Sequence, residues 1–148
     1  MRLASKVLNS TWGNEKTRAG KQLYASIEHR VLDSAAFADL KFASRTVLLL
    51  MARQYNGSNN GHIQATFSWM NRYGIGSEHT LQKCIAELIS HGFVYRTRSH
   101  GANKAWARYA LTWLPISKVR SGLFMDGYIA CAWRNWDEEK NSRQIVQE

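Results

Sequence analysis

A short run of polar side chains after Gly76 has the chemistry that recognises nucleic acid. Hydroxyl, amide, imidazole and ammonium groups bond to base edges and to phosphate oxygens. The run consists of Ser77, His79, Thr80, Gln82 and Lys83. The alternative is that these residues are only the solvated face of a helix, and His79 in particular could bind a guanine, bind a phosphate or have no role. The turn before the run and the strands after it favour contact with bases or phosphates.

More basic and polar residues lie on either side of this run. Asn71 and Arg72 precede it and could reach a phosphate, although a plain surface role is the alternative for both. After it come Arg96, Arg98, Asn103, Lys104 and Arg108. We expect Arg98 and Lys104 to make the main contacts, because they lie nearest to the turn at 99–104 that would reach a phosphate backbone or a minor groove.

The distribution of charge indicates a polyanionic partner. The 148-residue chain has 20 Lys and Arg against 11 Asp and Glu, a formal charge of +9. Residues 95–114 contain four basic residues and no acidic one, whereas residues 26–94 contain six and five. This clustering favours nucleic acid as the partner, and we expect double-stranded DNA once the turn and the strands around the polar run are considered. The segment 1–22 is interpreted as a flexible basic arm that adds salt-dependent affinity, or alternatively as a solvated terminus without a fixed role.

Enzymatic chemistry has little support in the sequence. The five histidines show no metal-ligand spacing with one another or with the two cysteines. There is no glycine loop of the kind that holds a phosphate, and no nucleophile elbow. We therefore expect a protein that is not an enzyme and that has no catalytic residue, metal or cofactor. The sequence also has no leader or membrane-span pattern, which favours a cytoplasmic, nucleoid-associated protein.

The residues of the first run are positioned by a capped amphipathic helix. Ser77 stands where an N-cap belongs, and Gly92 stands where the helix would end. Between them an apolar stripe recurs at helical spacing: Leu81, Cys84, Ile85, Leu88 and Ile89. Cys84 on this stripe is predicted to be a buried free thiol. Because Gly74 and Gly76 permit a sharp turn, the pattern across 67–91 is typical of a helix-turn-helix.

Further helices and a short strand are predicted before this motif. A first helical pattern covers residues 23–32, and Ser34 offers an N-cap for a short helix after it. Ser44 offers an N-cap for a core helix of about a dozen residues. After a glycine- and asparagine-rich loop at 57–61, residues 62–65 alternate in the manner of a short edge strand.

Beyond Gly92 the hydrophobic period changes from 3.6 to 2, which predicts a β-hairpin. Residues 93–98 alternate as a first strand, residues 106–113 return as a second, and Pro115 ends it. A basic hairpin directly after a helix-turn-helix is typical of a wing that lies against DNA.

Several short stretches carry a family resemblance. They are residues 32–37, 48–50, 53–61, 74–77, 87–88, 92–93 and 109–115. On these stretches, residues 33–116 resemble the winged helix-turn-helix DNA-binding proteins of bacterial phages, plasmids and integrated mobile elements. The resemblance implies a DNA-binding regulator or accessory factor that is often dimeric. The expected fold is α+β and mainly α, with a winged domain at 23–116, a two- to three-stranded β wing, and extra N- and C-terminal segments.

The segment 117–148 combines apolar and aromatic residues with a polar tail. Trp133, Trp136 and their neighbours are too apolar to stay exposed, so they either pack back on the core or form a dimer or partner interface, which is the preferred interpretation. We expect a homodimeric transcriptional regulator of a mobile element. The alternatives are a plasmid or phage replication or partition factor, and an interaction subunit of a larger nucleoprotein complex.

Overall fold

The computed structural model of the chain describes residues 22–99, 101 and 106–137. This part of the chain is α+β and mainly helical, with five α-helices and one two-stranded antiparallel sheet. The elements are α1 (His29–Leu32), α2 (Ala35–Asp39), α3 (Phe42–Arg53), α4 (Phe67–Met70), α5 (Glu78–Ser90), β1 (Val94–Arg98) and β2 (Arg108–Leu111), with 3₁₀ helices at Asn71–Tyr73 and Ala132–Asn135. None of the described helices has the length and apolar content that crossing a membrane requires. All of the predicted basic arm except Gln22, the polar tail from residue 138, and the candidates Asn103 and Lys104 lie outside the described residues.

Residues 23–28, which the sequence predicts to be helical, have no regular secondary structure. Only the four residues of α1 form a helix in this region, and Val31 is their buried member. Leu23 and Tyr24 are 52% and 86% exposed, and only Ile27 of this stretch packs partly against the core. Short helices are marginal in water without such packing. The prediction of a helix from Leu23 onwards was therefore wrong.

Of the two serines predicted to cap the short helix after residue 32 and the core helix, one does so. The Oγ of Ser34 accepts a hydrogen bond from the amide of Phe37 at 3.2 Å and caps α2. Ser44 is buried inside α3, so the prediction that it caps the core helix was wrong. The helix begins two residues earlier, where the amide of Lys41 donates to the Glu87 carboxylate of α5 at 2.8 Å. A contact between helices fixes this start, and no local capping side chain takes part.

Helices α3 and α5 pack against each other at the centre of the core. Their fully buried side chains include Val47, Leu48, Met51, Leu81, Ile85 and Leu88. The predicted apolar stripe of α5 is confirmed, and Cys84 on it is buried and free, as predicted. Each large aliphatic side chain removed from water contributes roughly 1.5–3 kcal/mol. Because this stripe is buried against α3, the opposite face of α5 is the one left for solvent or a ligand.

The hairpin predicted after Gly92 is present, and its first strand contains a β-bulge. Its regular partners are Val94 with Leu111, Tyr95 with Ala110, and Arg96 with Tyr109. The register then shifts, so that Arg98 pairs with Arg108 and Thr97 is the extra residue. A bulge interrupts the alternation of side chains along a strand.

Thr97 is held in the bulge by two hydrogen bonds from different parts of the chain. Its hydroxyl donates to the carbonyl of Gly61, and its own carbonyl accepts from the amide of Phe124 at 2.7 Å. The side chain is fully buried, so its hydroxyl needs a partner within the protein. The bulge is therefore a consequence of tertiary contacts.

The short strand predicted at 62–65 is reduced to a single bridge. Ile63 pairs with Tyr109 through two backbone hydrogen bonds of 3.1 and 2.8 Å. Ile63 is fully buried, and the bridge places it on the free edge of β2. The chain therefore adds a third, very short edge to the hairpin, in the order Ile63, β2, β1.

Asn60 attaches the loop before this bridge to β2. Its side-chain amide donates to the carbonyls of Leu111 and Leu114 at 2.8 and 3.0 Å, and its carbonyl oxygen accepts from the Leu111 amide at 2.7 Å. The residue is fully buried. All of the polar groups at this junction are thereby satisfied without water.

The C-terminal segment packs back on the core over its described part, residues 117–137. Trp133 is buried and lies parallel to Phe93 at 6.2 Å between ring centroids. Trp136 stacks on His91 at 4.8 Å. Packing on the core was one of the two interpretations of this segment. The other, an interface, stays a prediction for the large apolar side chains that remain exposed there, which are Val119, Phe124 and Ile129.

Gly92 provides a test of this packing. It has a φ of +83°, and an added Cβ would lie 2.5 Å from the backbone nitrogen of Trp133. Gly127 has a similar φ of +78° but nothing within 4 Å of the same position. We expect Gly127→Ala to lower the free energy of unfolding by about 1 kcal/mol, and Gly92→Ala to lower it by about 1–3 kcal/mol more, because a backbone must move. Urea unfolding measures both. Equal losses for the two variants would contradict the packing of Trp133 against Gly92.

Candidate nucleic-acid interface

A glycine turn and a capping serine set the start of α5. Gly74 ends the 3₁₀ helix with a φ of +99°, a conformation that glycine adopts without steric cost. Ser77 is the N-cap, as the sequence predicts, and its Oγ accepts from the amide of Thr80 at 3.1 Å. The same Oγ lies 2.9 Å from the Thr80 hydroxyl. The first turn of the helix is therefore held by side chains that are local in sequence.

The polar face of α5 is open to solvent. Ser77, His79, Thr80, Gln82 and Lys83 are all exposed. The described C-terminal segment packs near Gly92, at the other end of the helix, and does not cover this face. Glu78 in the first turn complements the positive end of the helix dipole. Five of the predicted site residues thus share one accessible helix face and its first turn.

Asn71 and Arg72 lie in the 3₁₀ helix before the turn and are exposed. The side-chain amide of Asn71 donates to the carbonyl of Ile75 at 3.0 Å, so one of its functions is to shape the turn that leads into α5. Arg72 has its side chain on the surface next to this turn. Both residues therefore border the open face of α5 but are not part of it.

A cleft of about 440 Å³ separates α5 from the hairpin, and we call it the α5 cleft. Glu78 and Gln82 line it on the helix side, and Arg96 and Trp106 line it on the hairpin side. The guanidinium of Arg96 lies over the ring of Tyr109, 5.7 Å from its centroid. This stacking holds the charge of Arg96 beside the polar face of α5, at a site that suits a phosphate or a base edge.

Arg98 and Arg108 line a different cleft, which shares Trp106 and Ala107 with the α5 cleft. The Nε and Nη2 of Arg98 donate to the carbonyl of Trp106 at 3.0 and 2.6 Å. The Nη1 of Arg108 donates to the Nδ1 of His62 at 2.7 Å. Neither arginine lines the α5 cleft. The structure therefore brings Gln82 and Arg96 together and places Arg98 and Arg108 elsewhere, while Asn103 and Lys104 lie outside the described residues.

Two residues that line these clefts, Trp106 and His62, are not predicted as site residues from the sequence. Trp106 is 57% exposed and lines both clefts, although its position in an alternating strand gives no sign of this. His62 accepts from Arg108 and its Nε2 donates to the carbonyl of Val119 at 2.7 Å. The only sequence signal for either is the residue type itself. The partners of His62, which are Arg108 and Val119, are 46 and 57 residues away from it along the chain. Hydrophobic periodicity does not reveal contacts at such a separation.

Within the described ranges, no group of three or more His, Cys, Asp or Glu side chains could hold a metal ion. No protein-family model matches the sequence, and no curated protein or solved structure is significantly similar to it. The chemistry of the site must therefore be argued from its own geometry.

The cap on α5 can be tested by stability and amide exchange. We expect Ser77→Ala to lower the free energy of unfolding by about 1 kcal/mol, because the Thr80 amide loses its acceptor. Ser77→Asn should remain close to the wild type, since asparagine accepts at the same position. Urea unfolding gives the first quantity, and hydrogen exchange at the Thr80 amide reports the cap directly. If the alanine and asparagine variants exchange equally fast, the serine does not cap the helix.

Proposed function

We propose that this chain is a winged-helix protein that binds double-stranded DNA and regulates transcription in a mobile genetic element. The observation that carries the proposal is the open polar face of α5, fixed by its cap and bordered by Arg96 across the α5 cleft. In this arrangement α5 enters the major groove, where an α-helix fits and each base pair presents a distinct pattern of donors and acceptors.

The order of elements supports a winged helix. Helix α3 is followed by the Ile63 bridge, then by α4, the glycine turn, α5, and the β1–β2 hairpin. The short strand pairs with β2, so the hairpin is anchored beside the helix-turn-helix. In such a fold the hairpin is the wing, and it contacts the backbone or minor groove next to the helix in the major groove.

The polar and charged residues near α5 suit two kinds of contact, one with phosphates and one with bases. Lys83 and Arg72 are exposed cations whose point charges suit phosphates, while Gln82 carries an amide that suits adenine. Glu78 repels phosphate, which favours an approach in which the helix start faces bases. His79 and Thr80 complete the polar face. The basic segment 1–22 would add affinity through counterion release.

The proposal includes a homodimer, because a two-fold symmetric operator requires two copies of the reading helix. A second candidate function, an interaction subunit of a nucleoprotein complex, has a specific observation in its favour. Phe42 and Leu49, seven residues apart on α3, are 81% and 48% exposed. Two apolar side chains two turns apart lie on one helix face, as in a surface that contacts another protein. Replication or partition in a phage or plasmid uses the same DNA chemistry and is the remaining alternative.

The direct experiment is a genome-wide footprint of the bound protein, followed by affinity measurements on the recovered duplex. We expect at least a hundredfold preference over random duplex, with a steep fall in affinity as salt rises. Weak binding without sequence preference, and without response to changes on α5, would favour the interaction subunit.

Lys83→Ala tests the phosphate contact. We expect it to weaken binding to specific and random duplex alike, and to reduce the slope of log K against log salt by about 1. Lys118→Ala is the matched control, since Lys118 is also exposed but belongs to the C-terminal segment. The contact is absent if both substitutions change the slope equally.

Gln82→Ala tests base recognition. We expect it to reduce discrimination at one base pair of the footprint by about 1–3 kcal/mol, while affinity for random duplex changes little. Competition binding against single-base variants of the duplex measures this. An even loss of affinity across all of those duplexes would show that Gln82 does not read a base.

A further inference from the structure

The cleft that contains Arg98 and Arg108, which we call the arginine cleft, has the size of a small-molecule site. Its volume is about 780 Å³. Its walls come from residues 22–25, from the end of α3 and the loop after it, from either side of the Ile63 bridge, and from the hairpin. Pockets of roughly 300–1,000 Å³ are typical for ligands and cofactors.

Arg98 and Arg108 give the arginine cleft a positive charge. Arg98 and Arg108 are half-buried, and none of the described residues that line the cleft is acidic. Their partners are neutral: the carbonyl of Trp106 and the Nδ1 of His62, whose Nε2–H donates to the carbonyl of Val119. Partly buried cations without a counter-ion attract an anion more strongly than exposed ones do, because water screens them less.

Both guanidinium groups are pre-positioned and keep donors for a ligand. Arg98 uses its Nε and Nη2 on one carbonyl, so its Nη1 remains directed elsewhere. Arg108 uses only its Nη1. A guanidinium has five N–H donors in a planar fork, which matches the oxygens of a phosphate or carboxylate. Since each fork is already anchored at one side, binding an anion orders little further side chain.

Planar side chains surround these cations. Trp106 and Tyr24 line the cleft and are 57% and 86% exposed, and Tyr55 and Trp69 line it as well. Exposed aromatic faces stack on planar rings, and nucleobases stack on them with little dependence on sequence. The combination of forked cations and open aromatic faces therefore selects a ligand that is both anionic and flat.

An amide completes the site. Gln64 lines the cleft, and its side-chain amide makes no hydrogen bond within the described chain, whereas its backbone groups are both bound by Gln54. An amide presents a donor and an acceptor side by side, the pattern that pairs with the edge of a nucleobase. The neighbouring amide of Gln54 is already used structurally, so Gln64 is the group left for a ligand.

We propose that the arginine cleft binds a small anion joined to a planar ring, of the size and chemistry of a mononucleotide. The anionic group lies on Arg98 and Arg108, the ring lies against Trp106, and Gln64 bonds to the ring edge. Arg96 and Lys83 line no part of this site, although Trp106 lines both clefts. Such ligand binding goes beyond the proposed DNA binding and does not depend on it.

The first test is isothermal titration calorimetry of the full chain, without duplex, against AMP, GMP, CMP and UMP. We expect at least one of them to bind with a dissociation constant of about 10–500 μM. Adenosine and inorganic phosphate, each with half of the ligand's chemistry, should bind at least about tenfold more weakly. Indole-3-carboxylate separates the two sources of such chemistry: tighter binding than the nucleotides identifies the ligand as an aromatic carboxylate. Failure of all the ring-bearing anions to bind the folded chain overturns the proposal, as does phosphate binding as tightly as the nucleotides.

The second test assigns the site to its residues. We expect Arg108→Gln and Trp106→Ala each to weaken nucleotide binding at least about tenfold. Arg120→Gln is the matched control, since Arg120 is exposed and lies outside the cleft, and it should leave the affinity unchanged. Because Arg108 also holds His62, thermal unfolding is recorded for every variant.

Gln64→Ala removes a side-chain amide that makes no hydrogen bond within the described chain. It therefore still tests ligand binding if Arg108→Gln destabilises the hairpin. We expect it to weaken binding and to flatten the preference among the four bases. Unchanged nucleotide binding in Arg108→Gln, Trp106→Ala and Gln64→Ala together overturns the assignment. Duplex binding is measured in parallel. If the protein binds a nucleotide but no duplex, the proposed function alone is contradicted. If it binds a duplex but no nucleotide, this inference alone is contradicted.

Discussion

The β-bulge at Thr97 determines where the positive charge of the hairpin is directed. Along a regular strand, residues two apart share a face, so Arg96 and Arg98 would lie side by side. The extra residue breaks this alternation, and Arg96 lines the α5 cleft while Arg98 lines the arginine cleft. Arg108 pairs with Arg98 across the strands and shares its cleft. Basic residues that the sequence places in one hairpin are thereby divided between two chemically different surfaces.

The features of α5 could be predicted because their causes are local or periodic. Ser77 bonds to an amide three residues away, Gly74 permits the preceding turn through its own φ, and the buried stripe repeats at the helical period. Burial of Leu81 and Leu88 also fixes which face remains outside. Knowledge of the buried residues is thus sufficient to name the exposed ones, and the open polar run follows without any information about the rest of the chain.

The features that could not be predicted depend on contacts between distant residues. Helix α3 begins before Ser44 because Lys41 bonds to a carboxylate 46 residues away. Residues 23–28 have apolar side chains at helical spacing, yet Leu23 and Tyr24 are exposed and too little of the apolar face is buried to stabilise a helix there. The arginine cleft is likewise invisible in the sequence, since the Arg108–His62 bond also spans 46 residues. Net charge can be counted from a sequence, but the surface on which it acts requires the fold.

The C-terminal segment has a larger part in this arrangement than its composition suggests. Phe124 donates to the carbonyl of Thr97, and Leu123 lies beside Gly61, which accepts from the Thr97 hydroxyl. The Phe124 bond satisfies the Thr97 carbonyl, which the bulge leaves without a partner on β2. Without the Phe124 bond the carbonyl of the bulged residue would lose this partner, whereas regular pairing would place Arg98 on the face of Arg96. The segment after the hairpin therefore stabilises the register on which the separation of the two clefts depends.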